Sequence, residues 1–485
     1  MSKKVRKKWV TWTLILMSLA LFALVVLRAL HVPITHDEAY SYQHYVKKGF
    51  WHIVSYGPPH IPNNHILNSL GMLLGIKLFG LSLFNLRLAS VLLSAVYFWY
   101  AVAFSKSFRT PFIQIACFLI LALQVYFFDW FALARGYGMG IAFSLASLFH
   151  LLEFRQLDNG HHIWRTLIFG ALAVYANFTF LYFYLAVIGV LLIVWLAKRT
   201  HKSITYGVML RPIIIVSLSL GALIFVPIRN ISNDLFGGSS NFWNDSVKTL
   251  TYRMSYGSLE GETEALSLFF IGLFLLLGAF FFVYDVYNEG MESKLRFYQE
   301  ALLVLVITAG VQILQHHILG TEYLMGRTAL LYAPLFLVFL IFLLQRFNEL
   351  ASWGENTQNI AVGVLALLFG FAFISNYNTQ QSFEWQYDAQ NDEAIKNLIE
   401  KGQKEGQTIE VGITWLFEPG FNFYRELYQA EAQLAPFERS SLEKEQAIYL
   451  LLEGYDQEWI DSLESQNWDL SAYYPIAKAR QYQKP

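Results

Sequence analysis

The chain is poor in charge and nearly devoid of cysteine. Charged side chains make up 15% of its 485 residues, against about 25% in an ordinary soluble protein. Hydrophobic residues make up 55% and the mean hydropathy is positive. So little charge disfavours a disordered chain, a soluble dinucleotide enzyme and a nucleic-acid binder, and the apolar excess needs lipid. The one cysteine, Cys117, excludes a disulfide framework and any cysteine-based zinc site. A glycine-rich phosphate loop after a strand is also missing: Gly136, Gly138 and Gly140 open an apolar helical run, where close helix packing explains small residues better than a nucleotide does.

The charge that exists is unevenly spread. Of 71 charged residues, 28 fall after Asn376. The tail carries nineteen acidic and nine basic side chains, and the preceding body seventeen and twenty-six. The formal net charge of −1 is therefore a cancellation that says nothing about partners. This division predicts a polytopic α-helical membrane domain over 1–376 and a small soluble α/β domain over 377–485.

Apolar runs near the length a bilayer demands of a helix, about 20 residues, occur near 9–30, 84–105, 112–130, 137–153, 165–197, 212–228, 264–286, 299–317, 328–345 and 359–376. The 165–197 run is too long for one span, and its polar break at Tyr175-Ala176-Asn177 predicts a hairpin, giving about eleven spans. The first run has no small-residue cleavage site and is expected to stay as an anchor. Residues 65–80 are short and interrupted by Lys77, which predicts an interfacial helix within a first outer loop of 31–83.

Positive charge then sorts to one side. Lys3, Lys4, Arg6, Lys7, Lys8, Lys106, Arg109, Arg155, Arg165, Lys198, Arg199, Lys202, Arg211, Lys294, Arg296 and Arg346 fall inside. The N-terminus is thus expected in the cytoplasm of a cell (inner) membrane, with 31–83, 129–136, 229–263, 318–327 and the tail outside. The tail alternates: a helix near 389–404, an apolar run 408–416, a helix near 419–430, a run 447–452, a helix near 455–465 and a strand near 467–474. That pattern predicts a short sheet with helices, a cap or acceptor-docking module rather than a second reaction centre.

The first outer loop holds six of the twelve histidines, four of the twelve prolines and the acidic pair Asp37-Glu38. Adjacent residues cannot share a helix face, so one carboxylate can enter a cavity while the other braces or meets water. On the same expected side lie Asp129, Arg135 and Tyr137, and Glu322, Tyr323 and Arg327. An arginine at the mouth of a bundle neutralises a carboxylate or binds an anion, and Arg135 with Asp129 is the plain pairing. Asn63, Asn64 and His65 are open to two uses, substrate contact or capping of the interfacial helix. The scattered histidines lack helical metal spacing, although a divalent cation, Mg or Mn, held by Asp37 or Glu38 stays open.

In order, these features resemble the GT-C membrane glycosyltransferases that use polyprenyl-phosphate sugars, the group that contains protein O-mannosyltransferases and the lipid A aminoarabinose transferase. The sequence has an acidic DEA motif at Asp37, a Pro-rich segment with an amphipathic helix, a span opening with Arg87, an aRgY motif at Arg135 to Tyr137, and an arginine followed by an apolar-Pro signature, Arg327 to Pro334. The resemblance covers roughly 9–345, and PPHIPNNHIL replaces the common HPPL segment. It implies Asp37 as the first-loop catalytic aspartate, Glu38 as the acidic residue beside it, and Arg135 and Arg327 as cations that hold a lipid phosphate. His65, Asn64, Asp129, Tyr137, Glu322 and Tyr323 are candidates for substrate contact by their place on the same expected side, and the resemblance assigns His65 no role.

The chemistry fits independently. A phosphate leaving group departs as an anion, so no general acid is needed. One base for an acceptor hydroxyl and fixed positive charge for the phosphate suffice. Direct attack inverts the anomeric centre. The expected activity is sugar transfer from a polyprenyl-phosphate donor to a lipid, glycan or protein acceptor. The rival is a transporter or flippase, which predicts charge buried mid-span, whereas the charges here cluster at span ends. A non-catalytic assembly protein presenting the acidic tail is a third reading.

Overall fold

A computed structural model describes residues 3–157, 159–197, 204–232, 237–290, 295–351 and 355–485. Lys198, Arg199, Lys202 and Lys294, counted above among the inside charges, lie outside the described residues. In chain order the helices are α1 (Lys3–His31), α2 (His36–Ser41), α3 (Phe50–Val54), α4 (Ile66–Phe79), α5 (Leu83–Ser105), α6 (Pro111–Ala122), α7 (Val125–Ala132), α8 (Gly136–Leu157), α9 (His161–Ala176) and α10 (Leu181–Leu196). There follow α11 (Tyr206–Asn230), α12 (Thr249–Met254), α13 (Glu262–Glu289), α14 (Phe297–Leu319), α15 (Tyr332–Ala351), α16 (Glu355–Asn376) and α17 (Asn391–Glu405). The tail continues with β1 (Gly412–Ile413), α18 (Glu418–Leu427), β2 (Ile448–Leu452), α19 (Gln457–Ser465), β3 (Asp469–Tyr474) and β4 (Ala479–Gln483).

Among the described residues nine helices are long and apolar enough to cross a membrane, and α6 with α7 makes a tenth if the pair, bent by 57°, is one span. The chain is an integral membrane protein. The bend has a local cause. Leu123 and Gln124 leave helical geometry, and the Gln124 amide donates to the Ile120 carbonyl at 2.8 Å, satisfying a group that the break sets free. The expectation of about eleven spans counted α9 separately. At sixteen residues α9 is about 24 Å long, short of a hydrocarbon core of about 30 Å. The expected hairpin break is present, with Asn177 ending α9 in extended geometry and its side chain accepting from the Thr179 N–H. The fourteen-residue α4 is likewise too short to span.

The chain forms two compact units. The first comprises Met1–Val25, His65–Asn68 and Ser90–Tyr377. Its buried centre is α8, which approaches its neighbours through glycines. A β-carbon on Gly136 would fall 1.9 Å from the Ala176 carbonyl oxygen, and one on Gly138 2.3 Å from that of Trp130. Close packing is thus what these small residues serve. At one end of this unit Asp285 of α13 accepts from Tyr298 of α14 at 2.6 Å and from Arg346 of α15, tying three helices at a buried ion pair.

The second unit comprises Val26–Asn64, Ser69–Ala89 and Asn378–Pro485. The tail therefore shares a unit with the first loop. Its sheet has the order β1-β2-β4-β3, parallel between β1 and β2 and antiparallel elsewhere. The fully buried β2 is central, and its core cluster includes Tyr449, Leu451, Ile460, Leu463 and Tyr482. The expected run 408–416 pairs as a strand only at Gly412–Ile413, with a further single bridge at Ile409. The closing strand β4, with two glutamines and one arginine among its five residues, has no counterpart among the elements that the sequence pattern predicts.

Candidate functional site

In the second unit the acidic motif is set by a helix cap. Thr35 is the N-cap of α2, its hydroxyl accepts from the Glu38 N–H, and the Glu38 side chain returns to the Thr35 N–H at 3.0 Å. The segment T-H-D-E is a capping box. Glu38 is buried and meets Arg87 side by side: Nε donates to Oε1 at 2.8 Å and an Nη to Oε2 at 2.7 Å. The remaining Arg87 donors go to the carbonyls of Ala29, Val32 and Pro33 at 2.6–3.0 Å. Both charges are therefore paired and hydrogen-bonded, which burial demands.

Asp37 diverges from its neighbour because successive helical residues point about 100° apart. It is half-buried. Its backbone carbonyl accepts from the Asn63 amide at 3.1 Å, and the Ser41 hydroxyl donates to the Asn63 carbonyl at 3.1 Å. Asn64 is spent on structure, donating to the Ile53 carbonyl at 2.9 Å and accepting from Ser69 at 2.8 Å.

The tail grips this motif at several points. Tyr424 accepts from the Ile34 N–H at 3.0 Å, Asp388 from the His36 N–H at 2.6 Å, and Glu426 from Tyr42 at 2.9 Å. The His36 Nδ1–H donates to the Leu416 carbonyl at 2.7 Å, since a carbonyl only accepts. Asp388 is fully enclosed and also accepts from Asn391 at 2.7 Å. Burial pushes its carboxyl well above the usual range, and the negative charges of Asp37 and Glu38 add to the rise. Burial pushes His36 the other way, below its ordinary value.

In the first unit the cationic residues gather. His65 is enclosed, and burial together with the positive charges of Arg135 and Arg327 holds its imidazole well below the usual range. Its Nε2 has no hydrogen-bond partner among the described residues. Its ring lies 5.0 Å from Tyr137, which in turn lies 4.4 Å from Trp130. Arg135 is buried in the short link between α7 and α8. That link is fastened by Asn68 to the Ala134 carbonyl at 2.7 Å. Arg327 stands in a tight turn over Gly326–Leu331, whose Gly326 N–H donates to Thr249 at 2.7 Å.

Asp129 is buried and accepts from the Tyr256 hydroxyl at 3.1 Å. Tyr323 pairs with Gly238 as a short bridge and stacks on His316 at 4.1 Å, while Glu322 is exposed. The structure thus joins His65, Arg135, Arg327 and Tyr137, and gives Tyr323 a place in the packing of a loop. Two side chains of the 229–263 loop carry no signal in the sequence. They are Tyr256 on Asp129 and Arg253, whose Nε lies 3.2 Å from where a Gly326 β-carbon would stand.

Among the described residues no three metal-ligating side chains gather as a cation site. Glu38 has both oxygens committed to Arg87 and Thr35, so the acidic pair does not offer two free carboxylates to one ion.

No family model matches the chain, and no curated protein matches its sequence. Its structure is similar to the crystal structure of ArnT from Cupriavidus metallidurans bound to undecaprenyl phosphate, with a TM-score of 0.52 and 10% identity over 98% of each chain. The apo state of the same ArnT aligns with a TM-score of 0.48 at 11% identity, over 96% of this chain and 97% of that one. The archaeal oligosaccharyltransferase AglB from Archaeoglobus fulgidus, in complex with an inhibitory peptide and a dolichol-phosphate, aligns at 0.44 and 11% identity, over 91% of this chain and 70% of that one. The chain has the fold of that ArnT over 98% of its length.

Proposed function

We propose that the chain is a membrane glycosyltransferase that moves a sugar from a polyprenyl-phosphate carrier to an acceptor hydroxyl on the extracytoplasmic face. The observation that carries this reading is the fold, shared over 98% of the chain with a protein bound to undecaprenyl phosphate, in which the positive charges of Arg135 and Arg327 act on the enclosed His65. Two guanidinium groups are suited to a phosphate that gains charge as it leaves.

In this reading Asp37 takes the proton of the acceptor hydroxyl. The acceptor oxygen bonds to the anomeric carbon on the side opposite the phosphate. The carbon–oxygen bond to the phosphate breaks, the electron pair leaves with the phosphate, and the anomeric centre inverts. Glu38 acts as a positioning residue, because its carboxylate is spent on Arg87 and on the helix cap. No general acid is required of the protein.

Purified chain in lipid nanodiscs, given an isotope-labelled panel of undecaprenyl-phosphate sugars and a membrane lipid and glycan extract, tests the proposal. Labelled product should appear with one equivalent of free undecaprenyl phosphate. Labelled donor crossing sealed vesicles with no covalent product would instead establish the transporter reading.

A further inference from the structure

The second unit carries a feature that the transfer chemistry leaves unused. Arg439 is held between two rings, its guanidinium carbon 5.5 Å from the centre of Tyr40 and 5.4 Å from that of Trp415. Its Nε donates to Glu418 at 3.3 Å, and Glu418 is itself held by Asn422 at 2.9 Å. The two terminal nitrogens have no partner among the described residues, and the side chain is 48% exposed. A planar group is therefore fixed in place with donors aimed at solvent.

Beside it, the Trp415 indole N–H donates to the Tyr455 hydroxyl at 2.6 Å, and both rings are exposed. The His36 ring meets Trp415 edge-on at 5.5 Å. Trp415 and Tyr455 follow the carboxyl ends of the parallel strands β1 and β2, the end of such a pair where ligands commonly sit. Tyr40 lies one turn after Asp37 on the same face of α2, so this shelf and the proposed base share one short helix.

Fixing an arginine between rings costs side-chain entropy, and solvation does not require it. Exposed aromatic faces next to fixed planar donors and acceptors match a pyranose, which has an apolar C–H face and a rim of hydroxyls. Aromatic side chains with a polar edge serve such mixed surfaces. We infer that Trp415, Arg439 and Tyr455 form a saccharide subsite that takes a sugar ring of the acceptor, with the buried Tyr40 ring backing Arg439. The acceptor assignment rests on the transferase reading above, and the saccharide site does not.

Ligand-observed saturation-transfer NMR on the full chain in nanodiscs tests it, with the methyl glycosides of glucose, galactose, mannose, N-acetylglucosamine and 4-amino-4-deoxyarabinose as probes and no donor present. At least one glycoside should bind saturably, and Arg439→Gln should weaken it about ten-fold, the scale of one charge-assisted hydrogen bond. Tyr455→Phe removes the hydroxyl that accepts from Trp415 and should weaken binding several-fold, which gives a second readout where Arg439→Gln does not fold.

Failure of every glycoside to bind, binding indifferent to both substitutions, or Arg439-dependent binding of inorganic phosphate in place of any glycoside would each overturn the subsite. Glycoside binding at these residues without any transfer from a lipid donor leaves the saccharide site standing and removes the transferase reading. Transfer that ignores both substitutions does the reverse.

Discussion

Arg87 holds Glu38 through two parallel bonds of 2.8 and 2.7 Å, with both side chains almost fully buried. The pair joins the start of α5 to the capped start of α2, and so fixes the helix that carries Asp37. Removing one partner strands a buried charge, which costs about 3–5 kcal/mol. Glu38→Leu and Arg87→Met should each destabilise the purified protein by that scale, read as a lower thermal midpoint. The double variant Glu38→Leu with Arg87→Met should recover part of the loss, because no lone charge remains. Additive losses in that cycle would contradict the pairing. Arg87→Lys should also be costly, since a lysine cannot supply two parallel donors.

Arg135 and Arg327 act on the donor rather than on the acceptor in this account. Arg135→Gln or Arg327→Gln should weaken binding of undecaprenyl phosphate by about ten- to a hundred-fold, the worth of a hydrogen bond to a charged group. A titration of each variant with the lipid phosphate checks this. Unchanged affinity in both would remove them from the phosphate site.

Asp388 predicts a pH dependence. Its folded pKa is raised by burial and by Asp37 and Glu38. At low pH both the folded and the unfolded chain carry its proton, and its effect on stability is neutral. As pH rises past the ordinary carboxyl value of 3.8, the unfolded chain releases the proton first, and folding loses stability until the folded group also ionises. Asn cannot ionise, but it keeps only one of the two oxygens that accept from His36 and Asn391. The melting midpoint of Asp388→Asn relative to the parent should therefore start from a fixed offset set by the lost bond near pH 4 and rise as pH rises. A relative midpoint that falls with rising pH would reverse the assignment.

The membrane class, most of the span positions and the helices of the tail are legible in the sequence because apolar runs and helical periodicity are local. The hairpin break at Asn177 and the packing role of the Gly136 to Gly140 row are equally readable. The spacing of a capping box, T-H-D-E, is present in the letters, but the pairing with Arg87 that makes Glu38 a bracing residue is not. Other features are hidden. The bend at Gln124 depends on one side chain returning to its own helix. Strand β4 is polar and is called into being by its neighbours β2 and β3. Nothing local announces that Asp388, Tyr424 and Leu416 of the tail hold the backbone and side chain of the first loop. Nor does a lone Tyr256 announce a bond to Asp129. These are contacts across hundreds of residues, which composition and spacing cannot see.

The central claim is that Asp37 supplies the base for sugar transfer, and single-turnover transfer from a labelled undecaprenyl-phosphate sugar by Asp37→Asn protein tests it most directly. The account predicts loss of product by at least about a hundred-fold, the lower scale for removing a general base, with the melting midpoint and lipid-phosphate affinity of the variant unchanged. Product formed at the parent rate by a folded Asp37→Asn variant would contradict it.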